Sequence, residues 1–584
     1  MNANASELLT KRQRTIVWCV ALVCAASRFL SVARSLWDWD EALFCLGMRE
    51  YDITQHHPHP PGFPVYIAMA KLLRLVIPSD FRALQTINLV AAVLIFPAMF
   101  LFARELRMRF PTAVIGSVLF AFLPNVWFFG GTAFSDVPSI VLVVFAATFL
   151  LRGRYDRNAY WIGTLLLAIA IGIRPQNLLI GLVPGVLATL RRKPYEIVVA
   201  LVIGVVVCGA AFGGAIHATG SYEQYMSAVR HHGNYIARVD SFRSPARPPL
   251  WRLADRFFVK QYQMPLLSII TTLFVLISVA GSVRDRSRAM ALNASTFGTF
   301  AIFAWLMLDR YSVSRFSIGY QPMFALFAAD GIARVARNSR REIMIAGGLI
   351  AAFIAYTAPA LQPVRNELTP TVSATQAAMR EVDPSRDQLY VANAMVPFFQ
   401  YYAPGVPFVR VMDEGAMPLA PHGNSWLLAV ITNSEPQGFF FHRDRGRLWN
   451  IARRQYFEVF LKKIEDAAQF VSGWYEGESH QLSEWRWMAR RSRTILPPAG
   501  EQMMLRMTLT PPQDVVARNA TVTVTLNARV LDRFHADGEV RREYRVTPAP
   551  AGQPNVLELA IDKSAIEDGR EVGLKLHDLG WGPA

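Results

Sequence analysis

The residues with the clearest chemical potential lie close together near the N-terminus. Residues 37–41 read WDWDE and residues 56–64 read HHPHPPGFP, just after the first long apolar run. Carboxylates at a membrane boundary are costly unless they are hydrated, paired or functional, and tryptophan favours the interface between lipid and water. The pattern predicts acidic side chains at the depth of lipid headgroups, where a carboxylate could accept a proton from a hydroxyl group.

Further charged and imidazole side chains follow in loops that the topology given below places on the same membrane face. They are Asp136, Arg174, His231, His232, Arg310 and Arg315. Carboxylates and arginines at one face suit the transfer of a group from a lipid phosphate to a hydroxyl. The carboxylate can accept the proton of the attacking hydroxyl, and arginines can stabilise the charge that grows on the departing phosphate.

The composition indicates a membrane protein with a globular C-terminal part. Hydrophobic residues make up 52% of the chain, and the apolar runs stop near Val364. The net charge of +16 does not indicate a nucleic-acid partner, because many arginines lie in short loops between apolar runs. All four cysteines precede residue 365, so the C-terminal part has no disulfide framework and no cysteine metal site.

Basic residues in the loops predict the topology. Those that precede the first apolar run place residues 1–14 in the cytoplasm, and residues 15–33 form a retained first span. The same rule predicts about eleven spans within residues 15–364, and therefore a C-terminal region outside the cytoplasm. The predicted spans are residues 15–33, 83–103, 111–129, 134–151, 159–173, 177–190, 194–217, 265–283, 289–308, 317–333 and 343–361.

Two segments depart from this simple pattern. Residues 63–79 are apolar, but an additional crossing would invert every later loop, so we predict a helix that lies along the outer interface. Residues 218–264 are predicted to be external although they contain many arginines. Either a loop of this length responds weakly to the positive-inside rule, or it is a cationic segment that faces a phosphate.

The region after residue 364 is predicted to contain two subdomains. Within residues 365–469, residues 388–432 alternate strand-like runs with a helical run, which indicates a small α/β subdomain, and a helix is predicted to follow near 446–468. Residues 470–584 contain short alternating runs that indicate a β-sandwich. Trp474 and Trp485 either stack on sugar rings or belong to the core of this sandwich.

The order of these elements resembles the GT-C superfamily of membrane glycosyltransferases. Asp40-Glu41 matches the Asp-Glu pair in the first external loop of protein O-mannosyltransferases and lipid A aminoarabinose transferases, with Asp38 as the alternative position. His59 begins HPPGFP, which resembles the His-Pro-Pro-Gly-Tyr-Pro element of a related branch, and Asp136 matches the acidic residue of the second external loop. The predicted fold class is a GT-C-like polytopic α-helical membrane protein with an exported C-terminal α/β plus β-sandwich region.

The resemblance, which covers residues 15–361, implies a reaction and roles for these residues. The donor would be a polyprenyl-phosphate sugar, attacked with inversion by a hydroxyl of a glycolipid, polysaccharide or protein. Asp40 would be the base, and Glu41 and Asp136 would orient the acceptor or support the base. Arg315 or Arg174 would hold the lipid phosphate. The predicted substrate-binding residues are His59, Arg174, His231, His232, Arg310 and Arg315.

Each role has a structural alternative. Asp40 could cap a helix that begins near Ala42, and Asp136 could cap the span that follows it, because aspartate is a good N-cap. Arg315 could simply extend to the interface. No metal or other cofactor is predicted, because arginines can bind the donor's single phosphate and histidines spaced across prolines are poorly placed for shared coordination. A divalent metal remains the alternative.

Two other classes of function remain open on the sequence. A lipid or glycan transporter or flippase also uses many spans and buried charges, although matched repeat halves are more typical of that class. A non-catalytic glycan-binding membrane scaffold would use the exported sandwich and would need no catalytic carboxylate. In every case the surrounding partner is the lipid bilayer, and the predicted location is the inner (plasma) membrane.

Overall fold

A computed structural model gives the fold of the chain. The described residues are 9–239, 241–245, 247–307, 313–336, 338–412, 415, 417–420, 423–430, 438–443, 457–464, 467–480, 482–498, 503–550 and 552–583. They fall into two compact units, one helical and ending at Leu368, the other beginning at Thr369 and rich in strands.

The first unit consists of helices, most of them apolar. They are α1 Lys11–Ser27, α2 Trp39–Arg49, α3 Pro64–Leu73, α4 Asp80–Glu105, α5 Phe110–Ala121, α6 Pro124–Phe129, α7 Asp136–Arg152, α8 Arg157–Ile173, α9 Asn177–Thr189, α10 Pro194–Thr219, α11 Tyr222–Val239, α12 Leu250–Ala254, α13 Pro265–Arg284, α14 Arg288–Met307, α15 Val313–Phe316, α16 Gln321–Ala336 and α17 Ser339–Asn366. Short helical turns lie at Arg28–Ser31, Ile53–Gln55, Asp255–Val259, Lys260–Tyr262 and Ser317–Gly319.

The lengths of these helices show a polytopic membrane protein. Among the described residues, six helical segments are long and apolar enough to cross a bilayer: Lys11–Ser31, Asp80–Glu105, Pro194–Thr219, Pro265–Arg284, Arg288–Met307 and Ser339–Glu381. Each of the other predicted spans also falls on helix, but on shorter segments. The polytopic α-helical part of the predicted fold class is therefore confirmed, whereas the number of about eleven spans stays a prediction.

One predicted span is interrupted. Residues 111–129 form two helices, α5 and α6, with Leu123 extended between them. The cause is Pro124, because proline disfavours a helical conformation in the residue before it and has no N–H to continue the hydrogen-bonding pattern. The break directs the chain into the turn at Gly131, where an added Cβ would lie 1.7 Å from the carbonyl oxygen of Ser31.

The apolar segment at residues 63–79 forms the short helix α3. With 10 residues, it has a length of about 15 Å, roughly half of the ~30 Å hydrocarbon core of a bilayer. It is therefore too short to cross as an α-helix, which agrees with the predicted interfacial position. Tyr66 anchors it, because its hydroxyl donates to the carbonyl of Ala133 at 2.9 Å.

The second unit begins with a small α/β subdomain. Its elements are α18 Pro370–Glu381, β1 Asp387–Ala392, α19 Val396–Tyr402, β2 Val409–Val411, β3 Asn424–Ala429, β4 Gly438–His442 and β5 Glu458–Lys463. They form a five-stranded sheet in the order β2-β1-β3-β5-β4, in which β1 pairs in parallel with β2 and β3. The predicted strands and helix between residues 388 and 432 are thus found.

The helix predicted near residues 446–468 is wrong where the structure describes it. Residues 458–463 form β5, which pairs with β3 on one side and β4 on the other. Val459 and Leu461 are buried and alternate with less buried neighbours, which is the period of a strand. Residues 446–456 of that prediction lie outside the described residues.

The C-terminal subdomain is a β-sandwich built on one long hairpin. Its elements are β6 Gln469–His480, β7 Ser483–Leu496, β8 Met503–Thr510, α20 Gln513–Ala517, β9 Thr521–Leu526, β10 Arg529–His535, β11 Val540–Val546, β12 Asn555–Ile561, β13 Ala565–Glu567, β14 Arg570–Val572 and β15 Leu574–Pro583. One half of β7 pairs with β12 and the other with β15, so the antiparallel sheet divides into two parts. Buried side chains from both parts form one hydrophobic core.

The sandwich tryptophans contribute to this core. Trp487 is buried, and Trp474 and Trp485 are partly buried against the same core. The indole N–H of Trp474 donates to Thr494 at 2.9 Å, and that of Trp485 donates to Glu478 at 2.9 Å. The packing favours the structural alternative over stacking on a sugar.

Candidate active site

Asp40 lies in the first turn of α2, but it does not cap this helix. The N-cap is Asp38, whose carboxylate accepts from the backbone N–H of Asp40 at 3.2 Å, and Glu41 completes a capping box with Asp38. The alternative in which Asp40 caps a helix from Ala42 is therefore wrong, because the helix begins at Trp39. The Asp40 carboxylate is left to contact other elements.

Asp136 is the first residue of α7 and makes a side-chain ion pair. Its Oδ2 accepts from Nη2 of Arg174 at 2.8 Å, and Nε of Arg174 donates to Oγ of Ser135 at 2.9 Å. The N-cap position is Ser135, so the capping role proposed for Asp136 is not seen. Arg174 follows α8 directly, and its pairing joins the α8–α9 connection to the start of α7.

Arg315 connects the two aspartates. Its Nη2 lies 2.6 Å from Oδ2 of Asp40, and its Nε lies 3.7 Å from Oδ2 of Asp136. The guanidinium also lies over the ring of Phe134, at 4.6 Å from the ring centre. Asp40, Arg315, Asp136 and Arg174 thus alternate in charge; we call these four residues the charge cluster. Their side chains are at most 11% exposed, and burial of ions is tolerable only with such pairing.

Glu41 fixes the loops that support the charge cluster. Its carboxylate accepts from three backbone N–H groups, those of Trp37, of Asp38 at 3.1 Å and of Ala133 at 2.7 Å. Glu41 is fully buried. It therefore joins the loop before α2 to the loop before α7, and with them the two aspartates.

Replacing Glu41 by Gln is expected to lower the free energy of unfolding by about 1–3 kcal/mol, because at least one buried N–H would face the amide NH₂ instead of an oxygen. The measurement is the thermal midpoint of the purified protein in detergent. Glu50→Gln, the same change at the exposed end of α2, is the matched control. Equal midpoints for the two variants would contradict the positioning role.

His59 and His232 lie beside the charge cluster. Nδ1 of His59 lies 3.8 Å from Oδ1 of Asp40, and the ring packs against Phe63 with 4.8 Å between ring centres. The ring of His232, on α11, lies 5.8 Å from that of His59. Burial, opposed in part by Asp40, lowers the pKa of His59 to about 3, and burial also lowers the pKa of His232.

The structure brings together most of the predicted site residues. Asp40, Asp136, Arg174 and Arg315 form the charge cluster, His59 and His232 flank it, and Glu41 supports it from behind. His231 is exposed on α11. Arg310 lies outside the described residues.

A small recess lies beside the charge cluster. Its polar end is formed by Asp136, Arg174 and Arg315, and its apolar wall includes Ile180 and Phe300. The two arginines give this end of the recess donors suited to an anion.

The donor set does not fit a divalent metal. Both aspartates of the charge cluster already pair with guanidinium groups, which would repel a cation placed between them. Within the described ranges, no group of three His, Cys, Asp or Glu side chains has the geometry of a metal site.

Sequence reasoning missed three uncharged residues that position the arginines of the charge cluster. Ser135 orients Arg174, and Phe134 and Phe316 pack against Arg315. All three lie within two positions of a predicted site residue in the sequence, and that proximity was the available signal.

Neither a family model nor a curated protein matches the chain. Among solved structures, it is similar to ArnT from Cupriavidus metallidurans bound to undecaprenyl phosphate, with 11% identity over 69% of this chain and 86% of that one and a TM-score of 0.47. It is also similar to the Archaeoglobus fulgidus oligosaccharyltransferase, with 12% identity over 97% of each chain and a TM-score of 0.43. A protein O-mannosyltransferase complex of S. cerevisiae bound to the sugar donor gives 13% identity over 45% of this chain and 37% of that one, with a TM-score of 0.29. These similarities concern the fold alone.

Proposed function

We propose that the protein is a membrane glycosyltransferase that moves a sugar from a polyprenyl-phosphate donor to an acceptor hydroxyl on the extracytoplasmic face. The observation that carries this proposal is the buried carboxylate of Asp40, 2.6 Å from an arginine that also approaches Asp136. One carboxylate for the proton and two arginines for a phosphate are the groups that this reaction needs.

The proposed step is a single displacement. The acceptor oxygen attacks the anomeric carbon while its proton passes to Asp40. The bond between that carbon and the phosphate oxygen breaks, and the phosphate leaves with the electron pair. Arg315 and Arg174 stabilise the added charge on the phosphate. One displacement from the face opposite the leaving group inverts the configuration at the anomeric carbon.

The lipid that accumulates when the gene is deleted tests this function. We expect a polyprenyl-phosphate sugar whose mass identifies the donor, and we expect it on the outer leaflet, where a membrane-impermeant sugar-labelling reagent can reach it. Accumulation on the inner leaflet would instead favour a flippase. An unchanged lipid profile would favour a glycan-binding scaffold and contradict the transferase.

The proposed topology places residues 365–584 outside the cytoplasm and α3 along the outer interface. A reporter enzyme fused after Val364 is expected to behave as exported, and so is one fused after Pro78, because α3 does not cross. The matched control is a fusion after Arg109, in a predicted cytoplasmic loop. A cytoplasmic signal at Pro78 would contradict the proposal that Asp40 and Asp136 face the same side.

A further inference from the structure

A transferase with a buried base must release a proton in every cycle. Under the proposed function, the acceptor's proton passes to Asp40, and the carboxylate must lose it before the next turnover. Asp40 is 8% exposed. Because little of the carboxylate faces water, neighbouring side chains that can accept and pass on a proton would assist this release.

His59 and Arg315, two of the partners of the Asp40 carboxylate, differ in whether they can accept a proton. Oδ2 faces Arg315, and a guanidinium cannot accept a proton. Oδ1 faces Nδ1 of His59, at 3.8 Å, and this nitrogen is buried and has no hydrogen-bond partner within the described part of the chain. An uncharged imidazole can accept a proton at one nitrogen and donate from the other.

Two further imidazole rings, those of His232 and His56, follow His59 in order of contact. The ring centre of His232 lies 5.8 Å from that of His59, and the ring centre of His56 lies 5.7 Å from that of His232. His56 directly follows the helical turn Ile53–Gln55. Thr54 and Gln55 of this turn are exposed. The three partly buried rings thus connect the buried carboxylate with a loop that has exposed residues.

We propose that His59, His232 and His56 form a relay that conducts the acceptor's proton from Asp40 to water. In each cycle the protonated carboxyl of Asp40 gives one proton to Nδ1 of His59. The Nε2 proton of His59 passes to His232, directly or through one water. His232 passes one proton to His56 in the same way, and His56 releases one proton to solvent. One proton enters and one leaves, no other reactant is consumed, and each ring returns to its first tautomer before the next cycle by a ring flip or by exchange with water.

The packing of His59 suits a relay better than substrate binding. Its ring is enclosed between Phe44 and Phe63, with ring centres 5.9 and 4.8 Å away. The low pKa described above keeps this ring uncharged at neutral pH, so it can pass a proton without holding one. A histidine that binds a phosphate as a cation would instead have to keep its added proton at neutral pH.

The test separates the first turnover from those that follow. Full-length protein in lipid nanodiscs is mixed with an acceptor fraction from the deletion strain and with the donor identified in that strain, once with protein in excess and once with donor in excess. For His59→Phe, which keeps the aromatic packing, we expect a first turnover within about threefold of wild type and a steady-state rate lowered about tenfold or more. Added imidazole should restore part of the steady-state rate.

Matched variants keep the result interpretable. His232→Phe should show the same pattern, and His217→Phe, a change at an exposed position of α10, should behave as wild type. His59→Gln provides a second variant if His59→Phe folds poorly.

An unchanged steady-state rate in His59→Phe would overturn the relay. Equal losses in the first and later turnovers without rescue by imidazole would overturn it as well and return His59 to substrate binding. The relay rests on the proposed function, but different experimental results would contradict the relay and the proposed function. Persistent transfer by Asp40→Asn would contradict the proposed base itself, whatever the histidine variants do.

Discussion

Asp40→Asn is expected to lower the turnover number about 10²–10⁴-fold, the usual worth of a positioned general base. An acceptor hydroxyl is a poor nucleophile while it keeps its proton, and the substitution removes the oxygen that accepts this proton. Asparagine has nearly the same shape, so the contact with Arg315 is partly retained. Donor binding should barely change, because the lost interaction belongs to the transition state. The measurement is the steady-state rate in nanodiscs together with the donor dissociation constant.

Asp38→Asn is the matched control, since Asp38 lies on the same turn and caps α2. Asparagine is as good an N-cap as aspartate, so this variant should keep its stability and most of its turnover. If Asp38→Asn is the inactive variant and Asp40→Asn retains activity, the base has been assigned to the wrong carboxylate.

Arg315→Ala is expected to weaken binding of the lipid phosphate about ten- to a hundredfold, the cost of one charge-assisted contact of about 1.5–3 kcal/mol. Nε of Arg315 is buried and makes no hydrogen bond within the described residues, so it is available to a phosphate oxygen. Arg174→Ala should act in the same direction. Equilibrium binding of the polyprenyl phosphate without a sugar is the suitable measurement, because it involves no turnover.

The control for the lost guanidinium is Arg334→Ala. Arg334 on α16 also pairs with two carboxylates, Asp330 and Asp285, each at 2.6 Å. It makes none of the described contacts of the charge cluster, so its loss should leave binding of the lipid phosphate unchanged. Equal affinity of Arg315→Ala and wild type would return Arg315 to a structural role.

Much of the charge cluster was predictable because its residues lie at the ends of apolar runs. Asp136 lies at the start of one predicted span and Arg174 directly follows another, and the sign of the loop charges predicts that both lie at one membrane face. The sequence could not predict which ion pairs form. The pairing of Arg315 with both Asp40 and Asp136 depends on the packing of distant helices, which no local pattern encodes.

The errors have local physical causes. The structural alternative for Asp40 started α2 too late, because Asp38 and Glu41 form a capping box that places the start of the helix at Trp39. The predicted helix near 446–468 failed at β5, where strand pairing on both sides outweighs helix propensity. The strands of the sandwich were easier to predict, because buried and less buried side chains alternate regularly along β9 and β12.

The lipid profile of cells that express Asp40→Asn in place of the wild-type protein is the most direct test of the proposed base. Neither the sugar nor the acceptor has to be identified before this profile is measured. With normal amounts of the variant in the membrane, we predict that the same polyprenyl-phosphate sugar accumulates as in the deletion strain. A wild-type lipid profile in cells that contain only Asp40→Asn would contradict the role of Asp40 as the base in transfer from a polyprenyl-phosphate sugar.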